Sequence, residues 1–276
     1  LEHKLNKTRI TPLVIALLVL LSACAAPPTT ADPAAEKPAQ PLTLKVFAPS
    51  SLTEAAKDLG AAFEKSNPNV KVSFEFGHSP TQRLQFTEGA TGDVFITASQ
   101  KDMDDAIADK TVAEGSASVF ARNQLIIVLP ADNKAGLANL EDLGKPGVRL
   151  LVAVADTPIG KVTMTSLDKM DKQFANGFKG NVEANIVSKE SGVKPIVSKI
   201  KLGEADAGIV FSTDAISAPE LKTIQIPAEL NVITQLNVAP LSKATNADPA
   251  AKFTAFMLSD EAQEILKKWG FLAPQS

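Results

Sequence analysis

The chain has no tyrosine, one tryptophan, one cysteine and two histidines among its 276 residues. Each scarcity removes a class of chemistry. A lone cysteine, Cys24, cannot form an internal disulfide or a thiolate metal cluster. Beyond the N-terminal segment only His78 remains, so neither a zinc ligand set nor a Ser/His triad with a separate base can be assembled. His78 adjoins Ser79, but neighbouring side chains on a strand or turn diverge. Gly77-His78-Ser79-Pro80-Thr81 also departs from the nucleophile-elbow pattern at its last position. Gly160-Lys161 is preceded by Ala155 and followed by Val162, where a phosphate-binding loop needs Gly and Ser/Thr. The charge is −3 and well mixed, without the basic patch that nucleic-acid binding requires. No enzymatic function is expected.

The N-terminus carries Lys4, Lys7 and Arg9, then an apolar run from Leu13 to Leu21, then Ser22-Ala23-Cys24. That run is too short for a bilayer core of about 30 Å. The order of positive, apolar and small residues reads as a secretory signal over 1–23. Leu21-Ser22-Ala23-Cys24 resembles a bacterial lipobox, which implies cleavage before Cys24 and lipidation of that residue. Residues 24–41, rich in Ala, Pro and Thr, read as a tether. Removing Lys4, Lys7, Arg9 and Glu2 leaves 25 basic against 30 acidic residues, a net charge of −5. The expected location is extracytoplasmic, with the membrane met only through a lipid anchor.

After the tether, apolar runs alternate with helix-period stretches, the pattern of an α/β protein. Strands are expected at Leu42–Phe47, Val70–Phe76, Val94–Ala98, Leu125–Leu129, Leu150–Ala155, Val182–Val187, Ala207–Phe211 and Val232–Val238. Leu52, Ala55, Ala56, Leu59, Ala62 and Phe63 share a helix face, as do Val193, Ile196, Val197 and Ile200. So do Ala262, Ile265, Leu266 and Trp269. These stripes read as core. The expected architecture is two lobes, each a mixed, mainly parallel sheet flanked by helices, with the ligand in the cleft between them. Residues 42–122 with 238–276 would form the first lobe and 123–237 the second.

Four places combine a strand end with a helix start: Ser51 with Glu54, Ser79 with Gln82 beside Pro80, Thr157-Pro158, and Ser191-Gly192 before Val193. Each hydroxyl is expected to cap its helix. Helix starts offer free backbone N–H donors and a partial positive charge. Gathered at the carboxyl ends of strands, they would hold a small anion without Lys or Arg. Asp93, Asp206 and Asp214, at strand edges, read as solvated, capping or paired carboxylates with no ligand role.

Three stretches resemble the periplasmic molybdate-binding proteins: Val46-Phe47-Ala48-Pro49-Ser50-Ser51-Leu52-Thr53, Gly92 to Ser99 with Asp102-Met103, and Gly203 to Ala215. The ending Trp269-Gly270-Phe271 is also similar, and the likeness runs over 42–276 in order. It implies a binding protein of two lobes that captures molybdate or tungstate for an ABC permease and its ATPase. Another small anion such as sulfate, phosphate or an organic anion, or a sensor built on the same lobes, is the alternative. By the same resemblance Ser51 and Ser79 supply hydroxyls and Ile159 and Val193 supply amides. Ser51, Ser79 and Val193 would meet the metal only through molybdate oxygens, with no direct metal ligand and no cofactor. Phe211 falls where the family usually has a tyrosine hydroxyl. A monomer is expected.

Labelled palmitate should enter the wild-type chain in a bacterial host and be absent from Cys24→Ala. Incorporation that persists in the variant removes the anchor.

Overall fold

The computed structural model describes residues 41–274. The signal segment, Cys24 and nearly all of the expected tether lie outside them. The first β-strand, β1 (Leu42–Pro49), alternates before becoming continuously buried, and helix α1 (Thr53–Ser66) covers it with Ala55, Ala56, Leu59 and Phe63. Strand β2 (Val70–Gly77), helix α2 (Ser79–Thr87), strand β3 (Val94–Thr97), helix α3 (Gln100–Ala108) and strand β4 (Ser118–Asn123) follow. The chain then continues through β5 (Leu125–Leu129), β6 (Leu150–Ala153), α4 (Pro158–Phe174), α5 (Phe178–Ala184) and β7 (Ile186–Glu190). After these come α6 (Val193–Lys201), β8 (Ala207–Phe211), α7 (Ser212–Ile216), β9 (Lys222–Gln225), β10 (Thr234–Pro240), α8 (Ala247–Phe256) and α9 (Asp260–Lys268). No helix among the described residues is long and apolar enough to cross a membrane.

Two five-stranded mixed sheets result, ordered β2-β1-β3-β10-β4 and β7-β6-β8-β5-β9. In the first, β1 pairs in parallel with β2 and β3, and β10 runs antiparallel to β3 and β4. In the second, β6 is parallel to β7 and β8, and β5 lies antiparallel to β8 and β9. Sheet membership changes at Gln124 and again between β9 and β10. Each sheet has its own core. Phe63 meets Phe253 edge to face at 5.1 Å beneath the first, a geometry that adds to burial. Leu125–Leu129 and Leu150–Ala153, covered on both sides, centre the second.

The sequence reading departs from the structure in three elements. Val182–Val187 was expected as a strand, but Val182 is buried on α5 and the strand begins at Ile186. Val182 faces helices, so its apolar character carried no strand information. Strands β4 and β9 were not anticipated. β4 carries Arg122 and Asn123 within it, and β9 is mostly exposed, so neither offers an apolar run.

Asp93 is neither solvated nor a surface cap. It is 1 % exposed, and its oxygens accept from the Lys45 amide (2.8 Å), the Asn246 amide (2.8 Å) and Asn246 Nδ2 (3.1 Å). It thereby ties β1 to the segment entering α8. Hydrogen bonds to a charged group contribute about 1.5–3 kcal/mol, and orphaned buried donors cost further. Asp93→Ala should therefore lose about 3 kcal/mol or more in urea unfolding. A loss below about 1 kcal/mol overturns this role.

Candidate functional site

Register decides which residues meet. Pro49 at the end of β1 lies opposite Gly77 at the end of β2, so the chain segments carrying Ser51 and Ser79 leave the first sheet side by side. Ala153 at the end of β6 lies opposite Glu190 at the end of β7. The starts of α4, with Ile159, and of α6, with Val193, follow from there. β8 runs beside β6 and ends at Phe211, the residue preceding α7. Four of the five residues therefore sit beyond the carboxyl ends of parallel strands, and Phe211 sits at one, where open α/β sheets bind ligands.

Three of the four expected caps do not form. Ser51 lies inside a short 3-10 turn, Ser50–Leu52, and α1 is preceded by Leu52 without a side-chain cap. Ser79 is the first residue of α2 rather than its cap, and His78 takes the position before it without a cap bond. Gln82 turns away from the helix start and donates to the carbonyls of Glu75 (2.9 Å) and Ala48 (3.4 Å). Gly192, not Ser191, precedes α6. Only Thr157 behaves as expected: its Oγ1 accepts from the Gly160 amide at 3.1 Å and donates to the Val154 carbonyl at 2.7 Å. The physical reason is local. The serines at 51 and 79 already stand within helical turns, where a hydroxyl no longer points at the free amides that a residue with extended backbone can reach.

Two glycines set how closely the helices approach the second sheet. A Cβ on Gly160 would lie 2.0 Å from the Val154 carbonyl oxygen, and one on Gly208 would lie 2.5 Å from Ile196 Cγ2. The first holds the start of α4 against the end of β6. The second lets α6 lie on β8.

A cavity of about 230 Å³ opens between elements of the two sheets. Its walls include Ser51 and Glu54 by α1, Lys194 on α6, Thr213 and Asp214 on α7, and Phe271 near the C-terminus. Of the five expected residues, this cavity collects Ser51. Ser79 and Ile159 are buried at 6 % and 5 % exposure, and Val193 and Phe211 pack, half-buried, against the second core. None of these four lies in its walls. Among the described residues no group of three or more His, Cys, Asp or Glu side chains is placed to hold a metal ion.

Sequence reasoning missed two charged groups here. Lys194 places a cation at the cavity. Asp214 was read as solvated, capping or paired, but burial pushes its carboxyl up to about 6. The Phe211 amide and Lys194 counteract that rise, and Glu54 adds to it. Asp214 Oδ2 is buried without a hydrogen-bond partner. Position in the short polar stretch Ser212-Thr213-Asp214 gave no sign of burial. The hint available was the apolar strand immediately before it.

Comparison with known proteins places this geometry. The profile of the bacterial extracellular solute-binding protein family matches residues 44–272. The chain is 33 % identical over 267 residues to a molybdate-binding protein of Mycobacterium tuberculosis, covering 96 % of this chain and 97 % of that one. Among solved structures, a substrate-binding domain assigned to a molybdenum ABC transporter of Clostridium difficile superposes with a TM-score of 0.74. It is 25 % identical, over 85 % of this chain and all of that one. The periplasmic molybdate-binding protein of Azotobacter vinelandii shares the fold, with a TM-score of 0.68 at 23 % identity over 84 % of this chain and 100 % of that one.

Gly160→Ala should drive the start of α4 from the sheet. Overpacking against backbone costs about 1–3 kcal/mol or more, a melting-temperature drop of roughly 2–4 °C per kcal/mol for a chain of this size. A thermal melt unchanged within 1–2 °C, on that same scale, would overturn the close-approach argument.

Proposed function

The chain belongs to the bacterial extracellular solute-binding protein family, and from that premise we propose that it captures molybdate outside the cytoplasm for an ABC permease and its ATPase. What supports this reading is that uncapped hydroxyls and free helix starts lie beyond the parallel strand ends of both sheets. Ser51 and Ser79 supply hydroxyl donors. The amides at Ile159 and Val193, in the first turns of α4 and α6, have no partner within their own helices. Together these donors suit a tetrahedral dianion, which backbone amides hold without neutralising it by a full positive charge. Tungstate, nearly the same size as molybdate, binds the same donors. The protein performs no chemical step on its ligand.

The finer features of the reading follow the same logic. The moving units are residues 42–122 with 238–276 on one side and 123–237 on the other. The anion bridges them and stabilises the closed arrangement by its differential affinity. The signal segment directs export and is removed before Cys24, and the lipid on Cys24 alone holds the monomeric chain at the outer face of a membrane. Phe211 places no hydroxyl on the anion, so the donors at 51, 79, 159 and 193 account for its binding.

Calorimetry with molybdate, tungstate and sulfate tests this directly. Molybdate and tungstate should bind alike and sulfate more weakly. Ser51→Ala and Ser79→Ala should each weaken molybdate by roughly ten- to a hundredfold, the equivalent of about 1.5–3 kcal/mol for a hydrogen bond to a charged group. Neither hydroxyl caps a helix, so both variants should melt like the wild type. Phe211→Tyr should tighten binding by up to about tenfold. Unchanged affinity in both serine variants removes them from the site. Tight sulfate binding with none for molybdate refutes the ligand.

A further inference from the structure

We propose that Asp214 is a proton-binding part of the ligand site, so that the cleft takes up its oxyanion together with a proton on this carboxyl. The proposal rests on the oxyanion reading above. Asp214 shares the walls of one cavity with Ser51, the hydroxyl assigned to the anion, and its Oδ2 is buried without a partner. Two hydroxyls beside it, on or next to the same helix, are engaged elsewhere. Thr213 Oγ1 accepts from Asn123 Nδ2 at 3.0 Å, and Ser217 Oγ donates to the Thr213 carbonyl at 3.2 Å. The charged groups acting on Asp214 come from two other elements. Lys194 on α6 favours the carboxylate, and Glu54 on α1 opposes it. Trp269 and Phe271, from the C-terminal wall, carry no charge. Burial outweighs both the Phe211 amide and Lys194, and pushes the carboxyl up to about 6.

A dianion entering the same cavity adds negative charge beside this group. It disfavours the carboxylate further and raises the carboxyl's pKa in the complex. The sign follows from linkage. Below the free-state value, both free and bound forms hold the proton and affinity is flat. Between the free and bound values, only the complex holds it, and affinity falls about tenfold per pH unit as pH rises. Above the bound value, affinity levels off at its weakest. A protonated carboxyl also offers an O–H donor where a carboxylate offers only repulsion. Asp214 therefore sets how strongly the site holds an anion at a given external pH.

The test is calorimetry with micromolar sodium molybdate at pH 5.5 and 7.5, in pairs of buffers that differ in ionisation enthalpy. Wild type should bind about tenfold tighter at pH 5.5 and take up a proton between these values. Asp214→Asn, neutral at both, should show neither effect. Because the variant experiences the same ligand protonation, the difference between the two proteins isolates this carboxyl. Carbon-13 carboxyl resonances of the wild type, titrated with and without molybdate, give a readout that does not need the variant. The Asp214 midpoint should lie near 6 alone and higher with the anion. Equal wild-type affinity at both pH values, an equal pH dependence in Asp214→Asn, or a midpoint unmoved by molybdate overturns the proton site and leaves the anion reading standing. Absence of molybdate binding at either pH overturns both.

Discussion

Asn123 sits where the chain leaves one sheet for the other, and its side chain reaches across from the first sheet to the start of α7. It is 1 % exposed. Its Oδ1 accepts from the Gln124 amide at 2.9 Å, and its Nδ2 donates to Thr213 Oγ1 at 3.0 Å. The Ser212 hydroxyl lies within hydrogen-bonding distance of Asn123 Oδ1 (3.0 Å) and of the Gly270 carbonyl (2.9 Å). Asn231 does the same work on the return passage, accepting from the Leu125 and Val232 amides and donating to the Leu125 and Ile226 carbonyls. Net gain per bond is only about 1 kcal/mol, but each buried group left unpaired costs about 1–3 kcal/mol. The network therefore tolerates few alternative arrangements. It also holds the residues that wall the cavity: Thr213 and Asp214 follow Ser212 directly, and Phe271 follows Gly270. Relative motion of the sheets has to be accommodated about these bonds, which leaves the cavity geometry dependent on two asparagines that touch no ligand.

The failure of three expected caps has a consequence for the site. A cap satisfies one of the free amides at a helix start, and a serine committed to that bond has its oxygen directed back at its own helix. Ser51 and Ser79 are free of that duty. At α4, by contrast, Thr157 does cap, and it takes up the Gly160 amide while leaving Ile159 earlier in the turn. On the proposed donor set, the two sides of the cleft differ in kind: hydroxyls from the first sheet, backbone amides from the second. Hydroxyls rotate and can donate to oxyanions of slightly different size. Amides are fixed by the helix. A site composed of both has one adaptable and one rigid wall.

Much of the architecture was legible because buried parallel strands leave continuous apolar runs. Leu125–Leu129 and Ala207–Phe211 match the structure residue for residue. The runs ending at Phe47 and Phe76 fell short by one or two residues, since Pro49 and Gly77 extend the ladder without apolar side chains. Val182 misled because burial against helices and burial in a sheet look identical over a short run. β4 and β9 were invisible because edge position or polar content removes the pattern. In the site, strand ends and helix starts could be read from Pro158, Gly160 and the serines. The charged groups could not. Asp206 pairs with Arg149 at 2.8 Å and Asp93 gathers amides, yet both look the same in sequence as Asp214, which has no paired cation and whose Oδ2 is buried without a hydrogen-bond partner. What separates the three is tertiary placement: one meets a guanidinium, one meets backbone from two elements, and one faces a cavity.

An acidic chain with an anion cleft poses an apparent conflict, and distance resolves it. A surface charge beyond about 8 Å contributes little at physiological ionic strength, because salt screens it. A helix start acts within its first turn, on partial charges of about half a unit that are already oriented before the ligand arrives. Lys194, Glu54 and Asp214 line the cavity itself. The local balance is therefore one cation against two carboxyls, with the aligned amides and hydroxyls added to the positive side. An ionised Asp214 opposes a dianion, and a neutral one does not. Burial supplies the means to keep one neutral, since it penalises the charged form of Asp214 without changing any donor. On the proposed reading, the acidic residue at the cleft needs no compensating cation of its own, because burial already keeps its charged form disfavoured.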